Sequence, residues 1–290
     1  MQIELSLKKA EQLAQVRDLA GRLGVEILAH FYQRSEVRAA ADWVGGSYEV
    51  VERALNSRAE AVMVCGACFM TAEIQRRGIE AELLIPRNDL SCPLAEAVSQ
   101  TDLAEIRRIY PGALIVADMK AQPEIQELAD IKISPSNARE LLKKLDRKEI
   151  IALPGPQLVD WAGFGHLIVA RWPQAVCRVH ELALPEDMEK AKKDHPNALV
   201  AANLLCRPEI KTQADFVGDS AAIKKFCENS PAMEFIVISE AGLADHLSAI
   251  RPGKIYHETE AEIFCPNMKL TTLKSMITRL QLFAGDKDRP

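Results

Sequence analysis

Three stretches decide how this chain is read: ILAHFYQRSEVRAAADWVGGS at residues 27–47, LIVADMKAQPEIQELADIKIS at 114–134 and LVAANLLCRPEIKTQADFVGDS at 199–220. Each passes from an apolar run through a polar position to a glutamate (Glu36, Glu124, Glu209) and, six residues later, to an aspartate (Asp42, Asp130, Asp215). A cysteine follows each aspartate at a distance of 50, 47 and 50 residues: Cys92, Cys177 and Cys265. A spacing kept while the residues around it diverge marks an internal repeat. Three similar domains are therefore expected, at 1–109 with an N-terminal helix, 110–195, and 196–290 with a C-terminal helix.

Apolar runs of strand length alternate with helix-length segments. The runs are VEILA at 25–29, AVMVC at 61–65, ELLI at 82–85, ALIVA at 113–117, IIAL at 150–153, ALVAA at 198–202 and EFIVI at 234–238. Runs that are apolar throughout suit strands buried on both faces, which predicts parallel sheets sandwiched by helices. The expected fold class is α/β: three similar three-layer αβα domains with parallel sheets around a pseudo-three-fold axis.

With 290 residues the chain can bury about three quarters of its unfolded surface, so a core needs no covalent staples;. The net charge of −5 comes without a long basic or acidic block, which argues against nucleic acid and membranes as partners and for a small anionic substrate held by local basic groups;. No apolar stretch reaches signal or membrane-span length, so a cytoplasmic location is expected. A homodimer is compatible with the sequence, which does not specify the assembly state.

Seven cysteines, an odd and scattered set, favour ligation over disulfides in a reducing compartment;. A single cysteine is often only a small buried hydrophobe. Repeat register lifts Cys92, Cys177 and Cys265 out of that background. Three thiolates can hold an iron-sulfur cluster with one iron open to substrate, or a zinc ion with one open position. Cys65 and Cys68 form CGAC, readable as a redox pair or as packing.

The strand-end positions differ between copies where the scaffold positions recur: His30 and Tyr32, then Asp118 and Lys120, then Asn203 and Leu205. An asymmetric pocket shared by repeats requires such differences, at the carboxyl ends of strands where α/β ligands bind. Lys120 can pair with a carboxylate or phosphate, or stand as a solvated surface charge. Ser47, Asn137 and Ser220 stand near helix starts, where a helix cap is the ordinary role and an anion contact the functional one. VGGS at 44–47 lacks the lysine and length of a P-loop;.

The chain resembles the quinolinate synthase family over nearly its whole length. The resemblance rests on ILAHFYQ at 27–33, VGGS at 44–47, CGACFM at 65–70, IP at 85–86 with CPLA at 92–95, SNA at 136–138, WPQAVCRVHE at 172–181, ADFVGDSA at 214–221 and CPNMKLTTL at 265–273. It implies a [4Fe-4S] cluster on Cys92, Cys177 and Cys265, and an enzyme that joins iminoaspartate to dihydroxyacetone phosphate in NAD biosynthesis. It also implies catalytic roles for His30, Tyr32 and His180, and substrate contacts at Ser47, Ser136 and Ser220.

The chain departs from the family pattern at several places. Asp118 and Lys120 stand where the family has Tyr and Asn, Pro135 where it has Ser, and Asn203-Leu204-Leu205 where it has His-Pro-Glu; Pro154-Gly155-Pro156-Gln157 replaces an Asp-Arg-Asn-like run. These departures lead to the expectation of a quinolinate synthase-like [4Fe-4S] enzyme whose pocket is altered around Asp118, Lys120 and Asn203. Its open iron would serve condensation or dehydration of small carboxylates or phosphates. Ordinary quinolinate synthesis is the first alternative, and a non-catalytic cluster-bearing sensor or structural protein the second.

Overall fold

A computed structural model describes residues 2–287 of the chain, except 147 and 173. Helix α1 (Gln2–Leu23) leads into a first sheet of β1 (Val25–His30), β2 (Trp43–Gly45), β3 (Ala61–Cys65) and β4 (Glu82–Leu84), linked through α2 (Ser35–Ala40), α3 (Ser47–Leu55) and α4 (Cys68–Arg77). After α5 (Gln100–Ile109) the second sheet comprises β5 (Leu114–Asp118), β6 (Ile131–Ile133), β7 (Ile150–Leu153) and β8 (Ile168–Ala170), with α6 (Pro123–Glu127), α7 (Ala138–Lys143) and α8 (Gln157–Ala162) between them. The third sheet follows α9 (Pro185–Asp194). It contains β9 (Leu199–Asn203), β10 (Phe216–Gly218), β11 (Glu234–Ile238) and β12 (Ile255–His257), linked by α10 (Pro208–Gln213), α11 (Ser220–Asn229) and α12 (Ala241–Ile250). Helix α13 (Leu273–Lys287) ends the described chain.

All three sheets are parallel and share one strand order: β2-β1-β3-β4, β6-β5-β7-β8 and β10-β9-β11-β12. Parallel pairing demands a crossover between strands, and helices supply it here. The fold is thus α/β with helices flanking three alike sheets. Two-sided burial is plain in the second sheet. Val116, Ile150 and Ala152 enter one apolar cluster, while their neighbours Ile115, Ala117, Ile151 and Leu153 enter another. The short strands β2, β6, β8, β10 and β12 lie outside the predicted runs, because three residues carry too little periodicity to be read.

The repeated aspartate has a structural reason. Asp42 accepts a hydrogen bond from the Ile27 backbone N–H at 2.8 Å, Asp130 from Ile115 at 2.7 Å and Asp215 from Val200 at 2.8 Å. The backbone N–H of each aspartate donates in turn to the carbonyl of that same partner at 2.9 Å. Each aspartate therefore clamps the entry of an edge strand to the central strand. A second device recurs at the position eight residues beyond each strand end: Arg38 donates to Phe31 and Gln33 carbonyls, Gln126 to Met119 and Ala121, and Lys211 to Leu204. Different side chains thus tie down the same turn in all three copies.

The chain forms two compact units, one running to Leu90 and resuming at Cys265, the other spanning Ser91–Phe264. The first unit holds the first sheet and α13. Leu273, Met276, Ile277, Leu280 and Phe283 of α13 join Val16 and Ala20 of α1 and the β1 and β3 side chains in one core. Although it follows the third sheet in sequence, α13 closes the first. The second unit holds the second and third sheets, and the Trp161 indole N–H of α8 donates to the Val217 carbonyl of β10 at 2.8 Å. Among the described residues no helix is long and apolar enough to cross a membrane.

Candidate active site at the strand ends

At the end of β1, His30 is buried and oriented by two bonds. Its Nδ1 lies 3.1 Å from the Tyr32 backbone N–H, which can only donate, so Nδ1 carries the lone pair. The proton of the neutral ring therefore sits on Nε2, 3.2 Å from Ser47 Oγ;. Tyr32 packs edge-to-face on the His30 ring, with centroids 4.5 Å apart. The Tyr32 carbonyl accepts from Lys269 Nζ at 2.7 Å, and Arg34 donates to the Lys269 carbonyl, so the segment after Cys265 is pinned to the β1 turn.

Ser47 is the first residue of α3 and does not cap it. The preceding Gly46 occupies the cap position, and its N–H donates to Glu49 Oε2 at 2.9 Å. Ser220 repeats the arrangement at the start of α11, where Asp219 caps by accepting from the Ala222 N–H at 2.8 Å. Asn137 holds the cap position of α7, but its side chain accepts from the Ser134 N–H instead. The cap expected of these residues is thus absent, and the two serine hydroxyls stand by the strand ends.

In the unit of the second and third sheets, Asn203 at the end of β9 takes the place that His30 has on β1. Its Oδ1 accepts from the Leu205 N–H at 3.0 Å, and its Nδ2 stands 3.4 Å from both Ser220 Oγ and Ser239 Oγ. Asp118 at the end of β5 follows the same backbone pattern, accepting from the Lys120 N–H at 2.5 Å. Here the second contact is an ion pair, Lys120 Nζ to Asp118 Oδ2 at 3.1 Å, with both side chains largely buried. Lys120 is therefore not a solvated surface charge. Ser136 is exposed and shares a hydrogen bond with Ser134 Oγ, away from the buried set.

His180, in the turn after Cys177, is fully buried, and its Nδ1 lies 3.2 Å from Cys177 Sγ. Burial first, and then the nearby positive charge of Lys120, hold its pKa down to about 3. It is a neutral imidazole, able to donate Nδ1–H to a thiolate or accept from a thiol. The Cys177 segment is held from behind, since Gln157 donates to the Ala175 carbonyl at 2.6 Å. A Cβ on Gly155 would come within 2.5 Å of that same carbonyl, so the close approach needs glycine;.

The cysteines separate by environment. Cys65, Cys206 and Cys227 are buried, and desolvation pushes each thiol up to about 12, so they are apolar core atoms rather than thiolates;. This favours the packing reading of CGAC, in which Cys65 joins the core of the first sheet and Cys68 opens α4, its N–H donating to the Leu90 carbonyl. Cys92, Cys177 and Cys265 are only partly buried, as is Cys68, and no cysteine is in a disulfide. Each of the three follows the last strand of its sheet and enters a tight turn: the Glu96 N–H donates to the Cys92 carbonyl, the Glu181 N–H to that of Cys177, and a short 3-10 helix follows Cys265. Three accessible thiols, one beside a neutral histidine, are a donor set that fits an iron-sulfur cluster.

The spacing of the sequence repeat was the signal for these thiols. The Ser239 contact and the three donors eight residues past each strand end had no such signal, because Ser239 follows β11, which no repeat motif covers, and the donors are Arg, Gln and Lys.

Fold and site together define an α/β protein of three repeated sheets, with polar groups at the central strand ends and an accessible cysteine after each sheet. A family profile described as quinolinate synthetase A protein matches residues 14–285. The quinolinate synthase of Thermodesulfovibrio yellowstonii is 33% identical over 257 residues, 88% of this chain and 84% of the relative. The quinolinate synthases of Clostridioides difficile and Aquifex aeolicus are 30% identical, covering 92% and 94% of this chain and 88% of each relative. The chain belongs to the quinolinate synthetase A family.

Proposed function

We propose that this protein is a quinolinate synthase, condensing iminoaspartate with dihydroxyacetone phosphate. The observation that carries the reading is the family match from residue 14 to 285, which includes Cys92, Cys177 and Cys265. Relatives that share the name over 84–88% of their own length support unaltered synthesis better than the rewritten pocket suggested by Asp118, Lys120 and Asn203. Cys92, Cys177 and Cys265 would hold a [4Fe-4S] cluster. When bound, such a cluster supplies a Lewis-acidic iron for a substrate oxygen.

The chain's own residues account for the rest. His30 holds a proton at Nε2 next to Ser47 Oγ, so the pair can pass a proton to or from a substrate oxygen through the hydroxyl;. Ser47 and Ser220, each at the first turn of a helix, offer O–H and backbone N–H donors to carboxylate or phosphate oxygens. Lys120 keeps its charge in a nearly dry site by pairing with Asp118, and an anionic substrate group can take over that pairing;. His180 keeps its Nδ1 on Cys177 and can donate a hydrogen bond to that sulfur as a thiolate;.

Anaerobic turnover of iminoaspartate and dihydroxyacetone phosphate, followed by quinolinate formation, tests the proposal directly. Steady turnover supports it. A folded, cluster-loaded protein without turnover overturns it in favour of another small-acid substrate. A colourless protein, carrying zinc after anaerobic purification, would overturn the cluster assignment. If the cluster served only as a sensor or pin, His30→Ala would leave every measured property unchanged while Cys92→Ala would unfold the chain or end a partner interaction.

A further inference from the structure

A second cluster of metal-ligating side chains lies at the other end of the third sheet. His195 ends α9, Glu234 opens β11 and His257 closes β12, which pairs with β11 through Ile236. His257 Nε2 is 2.7 Å from Glu234 Oε1, and His195 Nδ1 is 3.4 Å from the same oxygen. One ligand atom from each residue falls within 4.8 Å of the others. The two imidazoles stack with centroids 3.4 Å apart and planes 13° from parallel.

Two ring nitrogens thus converge on one carboxylate oxygen, a crowded arrangement for two N–H donors. A single divalent ion resolves this. Both rings would turn lone pairs to it, each keeping its proton on the other nitrogen, and the carboxylate would supply the third donor and a negative charge. Metal–ligand bonds of about 2.0–2.1 Å put tetrahedral ligand atoms about 3.3 Å apart, close to the separations seen here, and the stacked rings must rotate apart so that each in-plane lone pair points at the ion;.

We infer that His195, Glu234 and His257 form a site for a first-row transition-metal dication, zinc by preference, with a fourth position open to water. Two nitrogens and one oxygen select such an ion over calcium or magnesium, which take oxygen ligands. The three side chains are 20–33% exposed, which leaves an entry path. Glu234 opens β11 and Ser239 directly follows its end, five residues on and about 16 Å away at strand rise, so the site is separate from the Asn203 contacts;. It would tie the end of α9 to two neighbouring strands, independently of whether the protein makes quinolinate. The residues are 39 and 23 positions apart in the chain, and no spacing motif announces them.

The test is cobalt(II) and zinc(II) binding to the full-length, cluster-loaded protein under anaerobic conditions, with His195→Gln, His257→Gln and Glu234→Gln variants. Cobalt in this site should give ligand-field bands at one equivalent without the intense thiolate-to-cobalt charge-transfer band that a cysteine site produces. Zinc should displace it, raise the melting temperature, and bind at least tenfold more weakly to each variant by calorimetry. Equal affinity in wild type and variants, no binding at all, or cobalt spectra of thiolate character alone would overturn the assignment. His195→Gln at the half-exposed helix end keeps the test decisive if a strand variant fails to fold, and circular dichroism without metal reports that.

Discussion

The ends of β1 and β9 are built alike, and the end of β5 is not. On β1 and β9 a neutral side chain accepts the backbone N–H two residues on and reaches a serine at the start of the helix after the neighbouring edge strand: His30 to Ser47 of α3, Asn203 to Ser220 of α11. On β5 the same backbone bond is made by Asp118, but the remaining oxygen meets Lys120 instead of a serine. One turn geometry therefore carries three chemistries: a proton carrier, a neutral amide and an ion pair. Local backbone bonds hold the geometry, so the side-chain tips are free to differ.

The largest expected effect lies in the contrast between the two similar ends. His30→Ala should lower kcat for quinolinate formation by roughly 10²–10⁴-fold if its imidazole moves a proton, whereas Asn203→Ala, which can only lose a polar contact, should act mainly on KM. Equal loss of kcat in both would break the distinction drawn between them. Next comes the ion pair: Lys120→Met leaves a buried Asp118 without its cation and should cost about 3 kcal/mol in urea unfolding. The double variant Asp118→Asn, Lys120→Met should recover most of that loss, because an uncharged pair of similar size needs no counterion.

Smaller effects test the shared scaffold. A Cβ at Gly45 would overlap the Trp43 ring, so Gly45→Val should destabilise by about 1–3 kcal/mol, while Gly112→Ala, with open space around it, should be neutral;. The smallest effect concerns the clamp shared by all three copies. Asp42→Ala, Asp130→Ala and Asp215→Ala should each cost about 1 kcal/mol, the ordinary worth of one such hydrogen bond. Markedly unequal costs would show that the three aspartates are not copies of one device.

Much of the fold was legible because it is repeated. The long central strands were readable as apolar runs, and the Glu-to-Asp spacing located their edge-strand partners indirectly, through a clamp whose purpose only the hydrogen bonds reveal. Among the short edge strands β4 lay within the apolar run ELLI at 82–85, whereas the others, such as Ile131–Ile133, have no pattern of their own. Of the proposed site, the three cysteines and the strand-end residues were singled out by repeat register. Ser136 was placed among the substrate contacts on the resemblance, and its hydroxyl is exposed beside Ser134 Oγ. Whether Ser47 and Ser220 are helix caps or anion contacts could not be told from the sequence, because a serine at N1 and one at the cap position look the same in a string of letters; Gly46 and Asp219 hold the cap positions.

By itself the sequence determined the fold class, the three-fold repetition, the family and the identity of the thiols, since periodicity and spacing are properties of order along the chain. Only the tertiary structure decided the tautomer of His30, the burial of the Asp118–Lys120 pair, the docking of α13 onto α1 and the meeting of His195, Glu234 and His257. These depend on which atoms of distant residues come within a few ångströms in a water-poor interior, and separation along the chain carries no record of that distance.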